Sequence, residues 1–361
     1  MTAPFSPQVI RLSGEFPRDG TPAEKLALAV RHAIRAPSGH NTQPWLFRIS
    51  GDALVELQAD RSRTLHVVDP DDRELVMSCG VALHHLCVAL RHYGECPAVE
   101  LLPDGPGSDL MARVALGGSS PASYAENLLF WAIAVRRTDC FEFQERPVPA
   151  DLVVALQEAA AGRGAPLWPV YAAEARLKIG ELVAKADRIQ GNEPEVRREL
   201  SHWIHPNRSH AKDGIRGSAL GFGNVASLAL PAAVRRFHWG PWRARKDREI
   251  AETAPLLAVL WTAGDTVRDR LMAGQALSRV LLRAAQDGIA ASFLNQPLQV
   301  EELRPAVAKA AAIPGFGQAI LRLGYSSTKL PETPRRAAED VLLPPAMQAG
   351  HTHDGRRRRS T

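Results

Sequence analysis

Two stretches decide how this chain folds: Gly80-Val-Ala-Leu-His-His-Leu-Cys-Val-Ala-Leu-Arg-His-Tyr-Gly94 and Gly274-Gln-Ala-Leu-Ser-Arg-Val-Leu-Leu-Arg-Ala-Ala-Gln-Asp-Gly288. Each carries apolar residues at helical spacing: Leu83, Leu86, Cys87 and Leu90 in the first, Leu277, Val280, Leu281 and Ala284 in the second. They align without a gap, and Gly80, Ala82, Leu83 and Gly94 fall opposite Gly274, Ala276, Leu277 and Gly288. Each is followed by a strand-like stretch that ends in Leu-Gly, Val114 to Gly117 and Ile320 to Gly324. Two amphipathic helices agree by coincidence often enough that the helix match alone leaves this open. A true duplication predicts two tandem halves packed about a pseudo-twofold axis, like a dimer written as one chain.

Working outward, Thr21-Pro22-Ala23-Glu24 is a capping box with proline at the first helical position, and Leu26, Val30, Ala33 and Ile34 continue it as a helix ending near Pro37. Leu46 to Ile49 and Ala53 to Gln58 read as strands joined by Ser50-Gly51-Asp52. The apolar run Leu128 to Val135 leads into Arg136-Arg137-Thr138-Asp139-Cys140, and a helix is expected from Pro149 to about Ala160. Gly191 to Gly223 is polar and rich in His, Arg and Gly, the composition of a lid or binding loop. Leu256 to Trp261 reads as a buried strand.

The 361 residues are 45% hydrophobic and 23% charged, a globular composition that argues against disorder as the default. No uninterrupted apolar run approaches the roughly 18 residues of a membrane span. The N-terminus has no basic segment followed by an apolar run, so no secretory signal is read. The net charge is +5, most of it from Arg356 to Arg359, in a tail after Gly350 that is expected to be disordered. The body is therefore not a nucleic-acid face. Cys79, Cys87, Cys96 and Cys140 form no Cys-x-x-Cys pair, so a reduced, cytoplasmic protein without a metal site is expected.

The strongest local signal is Ala36-Pro37-Ser38-Gly39-His40-Asn41-Thr42-Gln43-Pro44-Trp45, where a helix hands over to a strand. Small residues admit a ligand close to the backbone, and Ser38, Asn41 and Gln43 offer donors and acceptors. The same residue types also build a plain turn that caps its own backbone, and their chemistry alone does not choose between the two. Arg136 and Arg137 are likewise either anion ligands or a solvated pair at a helix end. His202, His205 and His210 lack a carboxylate or cysteine at a metal-binding spacing. Gly221-Phe222-Gly223-Asn224-Val225-Ala226 lacks the preceding strand that a dinucleotide fingerprint needs.

The Ala-Pro-Ser-x-x-Asn-x-Gln-Pro-Trp loop resembles the signature of the FMN-dependent nitroreductase family. Arg136-Arg137-Thr138 resembles the Arg-x-Ser/Thr phosphate-binding start of that family. Gly274 to Leu298 is similar to its later helix and the strand beside the flavin ring, and Leu323-Gly324-Tyr325 with Pro334-Arg335-Arg336 to its C-terminal basic element. The likeness covers roughly residues 23 to 345. Within the family, the split order of the motifs resembles the fused, lid-bearing, dormancy-associated branch.

The resemblance implies an α+β fold with antiparallel-dominated sheets flanked by helices. Residues 1–125 would form one half and 126–345 the other, with a lid near 191–223 and a basic tail at 346–361. It implies one flavin site, held by Pro37, Ser38, Gly39, Asn41 and Gln43 from the first half. The second half would contribute Arg136, Arg137, Thr138, Leu294, Asn295, Gln296, Arg335 and Arg336. FMN would be the cofactor, NAD(P)H the electron donor, and a small planar molecule the acceptor, with neither nucleic acid nor membrane as partner. The chain would be a monomeric pseudo-dimer or a weak homodimer. The alternative is a flavin-sequestering protein with little turnover. One departure stands out: Cys140 replaces the family's usual third basic residue; no side chain reads as a general acid, and solvent or the flavin itself would handle protons.

Overall fold

The first helix, α1 (Pro22–Ala33), begins where the capping box places it. Glu24 N donates to Thr21 Oγ1 at 3.3 Å and Thr21 N to Glu24 Oε2 at 2.7 Å. The structure, a computed structural model, describes residues 17–344 apart from Arg18, Asp52 and Lys329, so the expected tail lies outside the described residues. After α1 come the hairpin β1 (Trp45–Ser50) and β2 (Leu54–Ala59), the helix α2 (Arg73–His92), and β3 (Glu95–Leu101) with β4 (Leu110–Ser119). The apolar run at 128–135 lies in α3 (Tyr124–Val135), and α4 (Ala150–Ala161) and β5 (Leu167–Pro169) follow.

A long excursion intervenes: α5 (Ala173–Asn192), α6 (Pro194–Trp203), the two-residue strands β6 (Ile204–His205) and β7 (Ile215–Arg216), α7 (Asn224–Arg236) and α8 (Gly240–Glu252). It leaves after β5 and returns at β8 (Leu256–Thr262), which pairs antiparallel with β5. Then come α9 (Val267–Gln286), β9 (Ile289–Phe293), α10 (Gln296–Gln299), α11 (Arg304–Ala311), β10 (Phe316–Tyr325) and β11 (Leu342–Leu343).

Two main sheets result. One has the order β11-β1-β2-β4-β3, antiparallel except for β11 beside β1, and the other has the order β5-β8-β10-β9, antiparallel throughout. The expected α+β, antiparallel-dominated class is therefore what is observed. The last strand crosses over: Leu342 lies opposite Phe47, and Phe47 N donates to Val341 O at 2.8 Å. The chain's C-terminal strap is thus held by the sheet of its N-terminal part.

The two matched stretches pack against each other, and the contact is reciprocal. A Cβ on Gly80 would meet Leu271 O at 2.2 Å, and a Cβ on Gly274 would meet Met77 O at 2.1 Å. His84 Nδ1 and Ser278 Oγ, which also occupy matched positions, lie 2.8 Å apart. The glycines are therefore the crossing point and not helix starts. The sequence places the helices from Gly80 and Gly274, whereas α2 begins at Arg73 and α9 at Val267. The extra turns contribute buried Leu75, Val76 and Met77 in α2, and Leu271 and Ala273 in α9. Helix α2 has the length and apolarity of a membrane span, but most of it is buried in this core. One contiguous apolar cluster runs from Leu26 to Val341 and includes both helices and both sheets.

Candidate functional site

The loop after α1 is held in an unusual backbone. His40, Asn41 and Gln43 have φ of 48°, 56° and 54°, in the left-handed region that most side chains avoid. Two local bonds hold it there: Gln43 N donates to Ser38 Oγ at 2.8 Å, and Asn41 N donates to Ser38 O at 3.0 Å. Gly39 brings the loop against Glu74, since a Cβ there would come within 2.6 Å of Glu74 Oε2. Strain of this kind persists where neighbouring groups over-determine the backbone, and it concentrates at ligand sites.

The side chains of Asn41 and Gln43 are engaged with protein. Asn41 Nδ2 donates to Gly214 O at 3.1 Å and Pro334 O at 3.2 Å, while its Oδ1 accepts from Arg335 Nη1 at 2.9 Å. Gln43 Nε2 donates to Lys212 O at 2.8 Å, and its Oε1 accepts from Arg336 N at 2.8 Å. These two amides therefore knit together the loop, the C-terminal strap and the excursion. Ser38 keeps its own O–H to give. Pro37 precedes the loop and ends the helical backbone.

One end of this assembly is a cleft lined by arginines. Arg136, Arg137 and Arg335 line it with Arg35 and Ile133, and Glu332 is paired with Arg35 at 2.6 Å. Among the described residues, no carboxylate lies within ion-pair distance of Arg136, Arg137 or Arg335. Arg136 is 6% exposed; its Nη1 donates to Thr138 Oγ1 at 3.2 Å, and its Nε has no partner. Arg335 donates to Asn41 and to Pro334 O at 3.0 Å, and its Nε is also unpartnered. Burial pushes Arg136 down to about 9, with Arg335 and Arg137 adding to it, and burial pushes Arg335 down to about 10, with Arg35 and Arg137 adding. Glu332 opposes the shift at Arg335 and Arg137, but desolvating a guanidinium still costs several kcal/mol, which an anion in the cleft would offset. Arg336 stands apart from the cleft and pairs with Asp60 at 3.2 Å.

The other end is formed by β9–α10 and the start of α2. Asn295 Oδ1 accepts from Ile320 N at 2.9 Å, which fixes the amide so that Nδ2 donates to Glu74 Oε1 at 3.3 Å. Gln299 Nε2 donates to the same oxygen at 2.8 Å. Burial pushes the Glu74 carboxyl up to about 7, and the charge of Asp69 adds to this. Glu74 is the residue that the sequence does not reveal, because a glutamate in the first turn of a helix reads as an ordinary partner of the helix dipole. Leu294 is buried, and its N donates to Ile320 O at 2.9 Å.

Gln296 turns the other way. Its Nε2 donates to Asp247 Oδ2 at 2.7 Å and Asp187 Oδ1 at 3.3 Å, tying α10 to the helices α8 and α5. Burial pushes the fully buried Asp187 up to about 7 despite Arg243 at 3.4 Å. Cys140 retains exposed surface although Arg243 from α8 and Arg322 from β10 both act on it. Burial pushes the thiol up, and Asp139 and Asp247 act on it in the opposite sense to the arginines.

The excursion is closed over the loop. Gly214 N donates back to Asn41 O at 3.2 Å. Asp213 pairs with Arg63 and, through Oδ1, lies 3.2 Å from His205 Nε2. Arg63 also donates to Thr42 O and stands 5.4 Å over the Trp203 ring. Glu199 on α6 accepts from Val67 N and Val68 N, each at 3.0 Å.

With this geometry in place, comparison with known proteins is informative. No family model matches the chain. It is 34% identical over 324 residues to "Putative NAD(P)H nitroreductase Rv3131" of Mycobacterium tuberculosis strain H37Rv, covering 89% of this chain and 91% of that protein. It is 25% identical over 337 residues to "Probable NAD(P)H nitroreductase PigM" of a Serratia species, covering 88% and 93%. Among solved structures, the FMN and NADPH-dependent nitroreductase NfnB of a Sphigopyxis species aligns at 18% identity with a TM-score of 0.39, over 59% of this chain and 96% of that one. The sequence relation, at this identity and near-full coverage, places the chain in the NAD(P)H nitroreductase family.

Proposed function

We propose that the chain is an FMN-dependent NAD(P)H oxidoreductase of nitroreductase type. One observation carries the reading: buried Arg136 lines a cleft with half-buried Arg137 and Arg335, the carboxylate there, Glu332, is paired with Arg35, and the Gly39–Asn41 loop leads from that cleft to Glu74 and Asn295. An elongated ligand with an anionic end matches this arrangement. Arg136, Arg335 and the Thr138 hydroxyl would hold the phosphate of FMN, since guanidinium forks suit phosphate oxygens. Gly39 and Ser38 would let the ring approach backbone, and Asn295 would orient it from the facing segment. When bound, FMN supplies the hydride chemistry: uptake from NAD(P)H and delivery to a nitroaromatic, quinone or similar planar acceptor in ping-pong order. Glu74, protonated near neutrality, is the group placed to hold a proton beside that region.

The two halves would form one pseudo-dimer, 1–125 and 126–345, and the reciprocal Gly80–Gly274 contact supports this. The lid would be the whole excursion from α5 to α8, of which 191–223 is the middle. The reading is tested by the visible spectrum of the purified chain after added FMN and desalting. Retained yellow flavin is expected, and loss of all flavin would overturn the proposal. Arg136→Ala should weaken FMN by about 10- to 100-fold, the worth of one charge-assisted contact, and riboflavin much less. Equal losses for the two would mean that Arg136 does not hold the phosphate.

The bonds that Asn41 and Gln43 donate to the Gly214 and Lys212 carbonyls favour a second reading, flavin storage behind a closed lid. Anaerobic NADPH that fails to bleach bound flavin supports storage. Rapid bleaching followed by reoxidation with a nitroaromatic supports the oxidoreductase.

A further inference from the structure

From Gly214 to Lys246 the excursion contains no carboxylate, yet it carries Arg216, Arg235, Arg236, Arg243, Arg245 and Lys246. Arg243 is held by Asp187 and Asp247, and Arg216 by Pro206 O and Ala211 O. Arg235, Arg236 and Arg245 are exposed, and Lys246 Nζ lies 5.6 Å over the Trp242 ring. The same stretch exposes large apolar side chains: Val225 at 84%, Leu228 at 67%, Phe237 at 69% and Trp242 at 64%. Helix α7 explains the pattern. It turns Ser227 and Leu230 inward, with Leu230 packed on Leu200 and Ile204, which leaves Val225 and Leu228 one turn apart on the outer face. A water-facing surface seldom gathers this many protruding apolar groups without a partner.

We propose that this face docks onto an anionic lipid bilayer. Charge selects among occupants. A second copy would set the same cations against each other, and so would the chain's own Arg356 to Arg359. Side chains exposed to this degree can enter the acyl boundary, which deforms around them. Aromatic and aliphatic groups interleaved with arginine and lysine are the composition of an interfacial helix, and the cations add attraction to acidic headgroups. The face is continuous with the segment that reaches Asn41 and Gln43 through Lys212 and Gly214, so docking would act on the element that covers the candidate site.

The test is co-sedimentation of the full chain with vesicles of phosphatidylcholine alone or mixed with phosphatidylglycerol. The chain should sediment with the anionic vesicles only and be released by added salt. Leu228→Asp with Phe237→Asp should lower partitioning at least about tenfold, and replacing Arg356 to Arg359 by serine should leave it unchanged. In the unmutated chain, brominated phosphatidylglycerol should quench tryptophan emission, and less so in Trp242→Phe, a readout that does not depend on the aspartate variant folding. Equal sedimentation with both vesicles, or with neither, would overturn the proposal. So would binding that survives the double aspartate change, or that vanishes with the serine tail. Poly-glutamate that displaces the chain as well as vesicles do would point to an acidic protein partner instead. A dimer in gel filtration that the aspartates abolish would assign the face to a second copy.

Discussion

At the scale of single residues, the site depends on groups held in states they would not choose in water. Glu74 ionises near 7 in the folded chain, against about 4.5 for an ordinary glutamate. Between those values the folded chain holds a proton that the unfolded chain has lost, so this residue's contribution to stability falls as pH rises through that window. Glu74→Gln keeps an oxygen for Asn295 and Gln299 and removes the ionisation. The variant should melt close to the unmutated chain near pH 4.5 and above it once pH exceeds 7, as read by thermal unfolding across that range. A melting difference that does not change with pH would mean Glu74 is not titrating in the fold. Arg136 and Arg335 present the opposite case, charges kept in place with no direct ion pair among the described residues. Adding FMN or inorganic phosphate should raise the melting temperature, and Arg335→Ala should reduce that rise.

At the scale of elements, two contacts decide the arrangement. The first is the α2–α9 crossing, where backbone meets backbone at Gly80 and Gly274. A methyl group at either position has a carbonyl oxygen in its place, and neither helix has a flexible side chain there that could yield. Gly80→Ala and Gly274→Ala should each destabilise by roughly 3 kcal/mol or more, the upper end of overpacking costs, measured by urea unfolding. Because the contact is reciprocal, the two losses should be similar. The second is the latch between the excursion and the loop. Asp213→Asn weakens the pair with Arg63 and with His205 together. Amide exchange over residues 205–216 should then quicken while the α2 core stays protected, and flavin bleaching by NADPH should quicken if the lid limits access. Unchanged exchange in that segment would rule Asp213 out as the latch.

At the scale of the molecule, the N-terminal and C-terminal parts of the chain do not stand alone. The cluster from Leu26 to Val341 draws on α1, α2, α4 and α9 and on both sheets, and β11, the last strand, lies beside β1, the first. Unfolding should therefore follow one transition, coincident by far-UV circular dichroism and tryptophan fluorescence. Two resolved transitions, one per half, would contradict the shared core. The buried histidines set the acid limit. Burial lowers His40 to about 4 and His84 to about 3, and it also lowers His85, which lies near Arg136 and Arg335. Each must gain a proton to unfold in acid, so the stability they confer is present above about 6.5 and is lost as pH falls below it.

What the sequence by itself determined was local and periodic. The capping box at Thr21, the hairpin over 46–58, the strand at 256–261 and the matched helices were legible, because capping, alternation and helical spacing act within a few residues. Motif resemblance likewise marked Ser38, Asn41, Arg136 and Arg335, and the fold brings Asn41 and Arg335 to 2.9 Å. Only the tertiary structure decided the rest. Gly80 reads as a boundary in one dimension and is a crossing in three. The partners of Gln296 and Arg336 are likewise set by the fold, which ties α10 to the excursion helices and the strap to Asp60. Glu74 carries no mark in the sequence, since its proton affinity comes from burial beneath Gly39 and from Asp69, neighbours that only folding supplies. Desolvation and like-charge crowding depend on what surrounds a group in space, and a linear pattern does not contain that information.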